Sequence, residues 1–594
     1  MPSVYTVQVE EARQSIGERP SAGPVYRCIF AKDGLLELPT GLESPWELFS
    51  HSVEKNPRNQ MLGHREVVNG KGGRCGIFGT NCPEWIISME ACNSHGIQYV
   101  PLYDTLGANA VEFIINHAEV SIAFVQENKI QAMLTCLPRC KYLKTIVSFG
   151  KIADAQMKEA EEIGVSCFSW KEFASLGTPD DKLSTRTKSD ICTIMYTSGT
   201  TGEPKADRRR LLFFIPSLAH VFDQIMETYC IYRDVRYLME DLQELKPTMF
   251  SWGSPDFDRI YTGTQEKISA GGTLKKIMYQ YAYNYKLKNL EAGLKQEEAA
   301  PLFDKLVFNK IKQVLGGRVR IIISGAAPLS THVEEFLRVT SCSILSQGYG
   351  LTESCGGCFT SIANVFSMIG TVGVPGLTIE ARLESVPEMG YDALSTVPRG
   401  EICLRGKTLF TGYHKRPDLT EEVVVDGWFH TGDIGEWQAN GVMKIIDRRK
   451  NIFKLSQGEY VAVEKLENTF GQCPLITAIW VYGNSFESFL VAVVVPDRKA
   501  LDDWAAAHHE NGEFRSMCEN PKARKYILDE LNSTGQKQKI KGFEMLRAVH
   551  LEPIPFDFER DLITPTFKLK RPQLLKYYKD RIDQLYSEAK KTKA

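Results

Sequence analysis

The first part of the chain alternates short apolar runs with helix-like segments. Arg74 to Phe78 (RCGIF) is an apolar run with the length of a strand. Glu84 to His95 is helix-like and stops at Gly96, a residue suited to closing a helix. Ile97 to Leu102 predicts a second strand, Ala108 to His117 a second helix, and Val120 to Val125 a third strand. Such repetition predicts a parallel sheet covered by helices. The rhythm returns at Arg318 to Ser324, a strand running into Gly325. Around Gly400 the texture changes. Glu401 to Arg405, Val425 to His430 and Gly441 to Asp447 read as short strands with Gly or Asp turns between them, a small β-rich lobe. A charged stretch, Asp447-Arg448-Arg449-Lys450, precedes renewed helix and strand alternation, so the main domain boundary is expected there, between 1–447 and 448–594. No internal repeat stands out.

The 594 residues exceed what one hydrophobic core supports, which agrees with a division into lobes. Seventy-one basic against 73 acidic residues leave a net charge of −2, without the basic footprint of a nucleic-acid binder. The start, MPSVYTVQVEEARQ, lacks the basic and apolar regions of a signal peptide, so a secreted protein is not expected. No run of about 18 apolar residues predicts a spanning helix. The most suspicious stretch, Arg208-Arg209-Arg210 followed by LLFFIP, is far too short for one, which leaves only a one-face, peripheral membrane contact open. The ending Thr592-Lys593-Ala594 is not a peroxisomal address. Fifteen scattered cysteines are expected to be reduced, mostly buried thiols. Cys355 and Cys358 form a lone C-x-x-C without a second pair, a weak metal signal. Asn532-Ser533-Thr534 fits a glycosylation sequon that an intracellular chain would not use. The tail from Lys568 is basic, nine Lys or Arg against three acids, with Leu575, Tyr578, Ile582 and Leu585 on one helical face. It reads either as a docked surface helix or as a contact to anionic lipid or coenzyme A phosphates. Nothing specifies an oligomeric state.

The strongest chemical signal is the string Thr197-Ser198-Gly199-Thr200-Thr201-Gly202-Glu203-Pro204-Lys205 after the apolar run CTIMY. Glycines let the backbone curl so that N–H groups point at an anion. Hydroxyls add donors, and Lys205 adds a compact positive charge. The G-x-x-x-x-G-K-[ST] spacing of a Walker loop is absent, so this is a different phosphate loop.

This string resembles the AMP-binding signature of the adenylate-forming superfamily. Further motifs follow in the family's order. Ser324-Gly325-Ala326-Ala327-Pro328 resembles the segment against the adenine. Gly348-Tyr349-Gly350-Leu351-Thr352-Glu353 resembles the motif in which Tyr349 would stack on the base, Thr352 bond phosphate and Glu353 hold Mg²⁺. Thr431-Gly432-Asp433 resembles the motif whose carboxylate takes both ribose hydroxyls. In the Asp447 to Lys450 segment, Arg448 would contact the ribose and Lys450 would be a hinge. Thr564 to Arg571 resembles the segment of the catalytic lysine, with Lys568 the best match and Lys570 the runner-up. His220 resembles a histidine near the substrate carboxylate. Flanking strings such as LSQGYGLTESCGG and KNIFKLSQGEYVAVEKLEN are most similar to plant-type long-chain acyl-CoA synthetases.

The resemblance implies an α/β fold with a large N-terminal domain, a β-rich lobe and a small mobile C-terminal α+β domain. It implies ATP-dependent conversion of a long-chain fatty acid to an acyl-adenylate and its transfer to coenzyme A, with Mg²⁺ assisting, at the cytoplasmic face of the endoplasmic reticulum or another membrane. Several stretches depart from the family. Residues near 66–73 and 206–219 are too few, a short piece is skipped at Tyr232-Arg233-Asp234, and Phe250 to Asp256 replaces a family motif. Two rival readings follow: an impaired splice or gene-model variant that at most binds nucleotide, and an adenylate-former for another carboxylic acid.

Overall fold

The computed structural model describes residues 4–37, 47, 50–51, 54, 73–80, 82–102, 108–177, 190–196, 206–210, 242–243, 246–252, 254–325, 329–510, 512–557, 559–564 and 568–591. The expected strand and helix alternation builds an eight-stranded sheet. Its order is Gly412–Tyr413, Ala206–Arg210, Ile191–Tyr196, Gln98–Leu102, Arg74–Phe78, Ile122–Val125, Thr145–Ser148 and Ser166–Ser169. From Ile191–Tyr196 onward every pairing is parallel. The helix Pro83–His95 shows why the crossovers form. Pro83 presets φ at the first helical position, Glu84 sits at the positive end, and Gly96 closes the helix at φ 80°, donating its N–H to the Cys92 carbonyl. Trp85, Met89 and Cys92 bury one face of that helix against Tyr99 and Ile77, while Val111, Ile114 and Ile115 cover the other side of the sheet.

The short stretch after the phosphate loop does not leave this sheet open. Ala206–Arg210, which includes the three arginines, pairs antiparallel with Ile191–Tyr196 on one side and with Gly412–Tyr413 on the other. Phe250 to Asp256 likewise finds a regular place. Met249–Trp252 runs parallel to Ile321–Ser324, and the helix Ser254–Ser269 follows. These strands open a five-stranded sheet that continues through Ile344–Leu351, Gly356–Thr360 and Val374–Pro375.

A third, antiparallel sheet of seven strands is the expected β-rich lobe. Here one expectation needs correction. Val425 to His430 is not a single strand. Val424–Val425 ends at a turn in which Asp426 and Gly427 take φ of 52° and 78°, and the chain returns as the ten-residue strand Trp428–Trp437. An Asp-Gly pair suits that turn because both central residues need positive φ. The long strand therefore runs straight through Thr431, Gly432 and Asp433.

Beyond Arg448 the chain builds two smaller sheets. The strand Leu490–Pro496 is buried along its whole length. One face packs against Leu466, Phe470, Ile527 and Leu531. The other packs against the helix Arg571–Lys591 through Leu574, Tyr578, Ile582 and Leu585. The basic tail is a docked helix, and its apolar face is spent on the protein core. Asn532 of the sequon is also occupied: its amide donates to the Leu546 carbonyl at 2.9 Å and accepts from the Leu546 N–H at 3.1 Å. No helix among the described residues is long and apolar enough to cross a membrane.

Candidate active site

The three N-terminal sheets and the C-terminal segment converge on one polar cluster. Asp433 is its centre, 3% exposed in the middle of the long strand Trp428–Trp437. Strand pairing sets Arg448 directly opposite Asp433. Its Nε lies 3.3 Å from Asp433 Oδ1. Tyr349, from the five-stranded sheet, donates its hydroxyl to Asp433 Oδ2 at 2.5 Å. Burial and then the Asp433 charge push the Tyr349 phenol well above its usual range, so it stays a donor. Asp433 in turn holds the Arg448 guanidinium above its ordinary value against the cost of burial.

Two residues beyond Leu351 the chain turns, and Glu353 faces the eight-stranded sheet. Tyr413, on that sheet's edge strand, donates its hydroxyl to Glu353 Oε1 at 2.7 Å. The Phe410 N–H bonds the Glu353 carbonyl at 2.8 Å and fixes the turn carrying Thr352 and Glu353. A carboxylate is a hard oxygen donor, so Glu353 is of the ligand type that suits a magnesium ion.

Lys568 enters from the C-terminal segment. A tight local pairing holds it: the Thr564 N–H donates to the Lys568 carbonyl at 2.8 Å, and the Lys568 N–H donates to Thr564 Oγ1 at 3.0 Å. Burial and then Arg448 lower the Lys568 ammonium, against the opposing pull of Asp433, Glu464 and Glu353, to about 8. Lys568 therefore lies within electrostatic reach of the cluster. Lys570 points elsewhere and pairs with Asp561 at 2.5 Å. The two lysines that the resemblance offered, Lys568 first and Lys570 second, thus have different surroundings.

The motif before Asp433 is pinned by Glu401, a residue the sequence reading passed over. Its carboxylate accepts the Gly432 N–H at 2.9 Å and Arg449 at 3.0 Å. Thr431 donates to the Ile402 carbonyl at 2.8 Å and accepts from the Asp433 N–H at 3.1 Å. Gly432 adopts φ of 73°, a left-handed conformation in which glycine alone is unstrained. Gly325 follows the strand Ile321–Ser324, whose last residue pairs with Gln347, two residues before Tyr349. The loop residues Thr197, Ser198, Gly199, Thr200, Thr201, Gly202 and Lys205 lie outside the described residues, as do His220 and Ala326.

Comparison with known proteins decides the family. The model of the AMP-binding enzyme family matches residues 61–206 and 213–414. "Probable CoA ligase CCL6" of Humulus lupulus is 62% identical, over 99% of this chain and 100% of the relative. "Long chain acyl-CoA synthetase 2" of Arabidopsis thaliana is 57% identical, over 99% and 98%. The chain belongs to the AMP-binding enzymes, in their plant-type long-chain acyl-CoA synthetase branch. A solved structure, the A domain of carboxylic acid reductase from Segniliparus rugosus in complex with AMP and a co-purified carboxylic acid, shares the fold. Its TM-score is 0.69 at 21% identity, over 98% of this chain and 91% of that one.

This synthetase is shorter inside than its relatives. The alignment with the hop protein runs over 655 positions and takes in that whole relative, whereas the chain has 594 residues. The relative therefore carries internal stretches for which this chain has none.

The glycines flanking Tyr349 differ in what they serve in this synthetase. A Cβ on Gly350 would stand 1.8 Å from the Gly356 carbonyl oxygen, because two backbones cross there. A Cβ on Gly348 would meet only ordinary contact, 3.5 Å from the Phe359 carbonyl. Gly350→Ala is therefore expected to destabilise the protein by about 1–3 kcal/mol, as overpacking does. Gly348→Ala is expected to keep the melting temperature and weaken AMP binding. Thermal denaturation beside AMP titration of both variants checks this. Equal loss of stability in the two would show that Gly348 is also there for packing.

Proposed function

We propose that this chain activates a long-chain fatty acid with ATP and transfers the acyl group to coenzyme A, releasing AMP and pyrophosphate. The observation carrying this reading is that Lys568, from the C-terminal segment, lies within electrostatic reach of Asp433, Arg448 and Glu353, in the cluster that Tyr349 joins through Asp433. In the first step a carboxylate oxygen bonds to the α-phosphorus of ATP while the bond to the pyrophosphate oxygen breaks. Negative charge builds on phosphate oxygens, and prealigned cations and N–H donors stabilise it with little reorganisation. Lys568 supplies the ammonium, Thr352 a phosphate bond, and Thr197 to Lys205 the cradle. Gly325, Ala326, Gly348 and Tyr349 border the adenine, and Asp433 with Arg448 takes the ribose. Glu353 would hold Mg²⁺, which would act there as a Lewis acid and template. His220 borders the acyl carboxylate. In the second step the coenzyme A sulfur bonds to the acyl carbon, the bond to the AMP oxygen breaks, and the thiol proton leaves to water.

The two steps need different surroundings, and 1–447 and 448–594 act as two bodies turning about Lys450. Arg449 is tied to Glu401 on one side, and Asn451 is tied to Glu464 at 2.5 Å on the other. Exposed Lys450 lies between these anchors. Lys450→Pro fixes φ where the backbone must change. It is expected to slow thioester formation about tenfold or more while acyl-adenylate formation stays within about twofold. Single-turnover assays of each step check this, and equal losses would contradict a hinge.

The protein acts peripherally, at the cytoplasmic face of the endoplasmic reticulum or another membrane. The missing internal stretches favour a second reading, an impaired form that binds nucleotide without turnover. Palmitate- or oleate-dependent pyrophosphate release, with and without coenzyme A, separates the two. Release that rises with coenzyme A and yields acyl-CoA supports the enzyme. A folded, AMP-binding protein without release is the impaired form.

A further inference from the structure

The helix Thr273–Glu291 is apolar on two opposite faces. Its inner face, with Ala282 and Leu290 buried and Tyr279, Tyr283 and Leu287 partly so, packs on Phe308 and Val339. Its outer face carries Leu274, Ile277, Met278, Tyr281 and Tyr285, spaced three, one, three and four residues apart. These positions fall on one stripe about 100° wide. A helix apolar all round is normally buried. Here Leu274 is 81% exposed, Ile277 62% and Tyr281 64%.

The stripe does not stand alone. Phe303 packs on Tyr281 and Tyr285, with ring centroids 5.8 and 5.4 Å away. It carries the neighbouring exposed Leu302 and Leu306 along with it. Lys275, Lys276, Lys288 and Lys305 are exposed around this surface. The one other lysine on the helix, Lys286, is buried and paired with Asp304 at 2.6 Å. Glu291, at the helix end, is the helix's only acid.

We propose that this surface lies on an anionic bilayer: Leu274, Ile277 and Met278 enter the acyl boundary, Tyr281 and Tyr285 sit at headgroup level, and the lysines pair with lipid phosphates and carboxylates. Three observations select a lipid surface. A contiguous exposed apolar patch marks an interface. Tyrosines and lysines suit a boundary because each joins an apolar body to a polar tip. The cationic rim is local on a chain whose net charge is −2, so it fits an anionic surface and not a general one. The basic C-terminal helix is no rival, since its apolar face is buried in the core. The inference rests on the reading that the protein works at a membrane, and adds the face that meets it.

The full chain is sedimented with vesicles of phosphatidylcholine alone and of phosphatidylcholine and phosphatidylserine mixed roughly four to one. The parent is expected to bind the mixed vesicles more strongly. Ile277→Glu with Tyr281→Glu should weaken binding to both by about tenfold or more. Lys275→Glu with Lys276→Glu should remove only the gain from phosphatidylserine. Unchanged sedimentation of the Glu pair would overturn the proposal. So would a parent that ignores vesicles but forms dimers through this face, because the occupant would then be a second copy. An environment-sensitive fluorophore at Ile277→Cys, with the unsubstituted chain as labelling blank, should shift to the blue on vesicles. The same probe at Phe486→Cys, exposed elsewhere, should not. Pyrophosphate release on detergent-dispersed oleate is read in parallel. Turnover without vesicle binding rejects this surface alone, and binding without turnover rejects the activity alone.

Discussion

Lys568→Ala is expected to slow acyl-adenylate formation by about 3–4 kcal/mol, a few hundredfold, the size of effect produced by losing one preorganised donor to developing charge. The same substitution at Lys570, already engaged with Asp561, should leave the rate within about twofold. The pH profile adds a second signature. Burial and Arg448 lower the Lys568 ammonium to about 8, so it is charged at neutral pH and loses its proton as pH rises through that value. Acyl-adenylate formation should fall over the same range, and Lys568→Arg should remove that falling limb because a guanidinium keeps its proton. The stability effect has the opposite sign. Between pH about 8 and 10.5 the unfolded chain keeps this proton and the folded chain does not, so this group's contribution to stability rises with pH there. Stopped-time measurement of acyl-adenylate from pH 6 to 10 checks the first claim (roughly the span on either side of the shifted value). Unchanged adenylation with slow thioester formation would reassign Lys568 to the second step.

Asp433→Asn is expected to weaken AMP binding by about 2–3 kcal/mol, roughly thirty- to 150-fold, because charge-assisted bonds to hydroxyls are lost. Asparagine keeps the volume of the buried side chain but offers one acceptor oxygen in place of two. It also removes the largest of the negative charges acting on Arg448, while Glu464 and Glu353 continue to act on it. The Arg448 side chain is 38% exposed, so solvent screens much of that loss and the melting temperature should fall only modestly. Tyr349→Phe removes the 2.5 Å bond to Asp433 but keeps the ring, and should cost binding about 1 kcal/mol. Calorimetric titration with AMP ranks the three proteins. Binding by Asp433→Asn equal to the parent would remove Asp433 from the nucleotide site.

Much of the scaffold was legible in advance because the strand–helix rhythm is local. Arg74 to Phe78 and Ala108 to His117 form at their expected bounds. The lobe near Gly400 was less legible. Val425 to His430 read as one strand although Asp426-Gly427, a strong hairpin signal, lay inside it. Of the site, the order of the motifs pointed to Tyr349, Glu353, Asp433, Arg448 and Lys568. It did not point to Tyr413, which meets Glu353 across sixty residues and has no motif of its own. Nor did it point to Glu401 or Glu464, which act on Gly432 and Lys568 only once strands and helices are assembled.

The division follows the range of the forces involved. The chain alone determines where backbone conformation is dictated by neighbours a few residues away: strand runs, helix caps, glycine turns and a phosphate loop of fixed spacing. Only the tertiary structure decides which lysine feels Asp433, because Lys568 and Lys570 are two residues apart in sequence and Lys570 is engaged by Asp561 instead. Only it decides that the helix Thr273–Glu291 has a bare outer face, because an apolar pattern on two sides specifies burial without saying what does the burying.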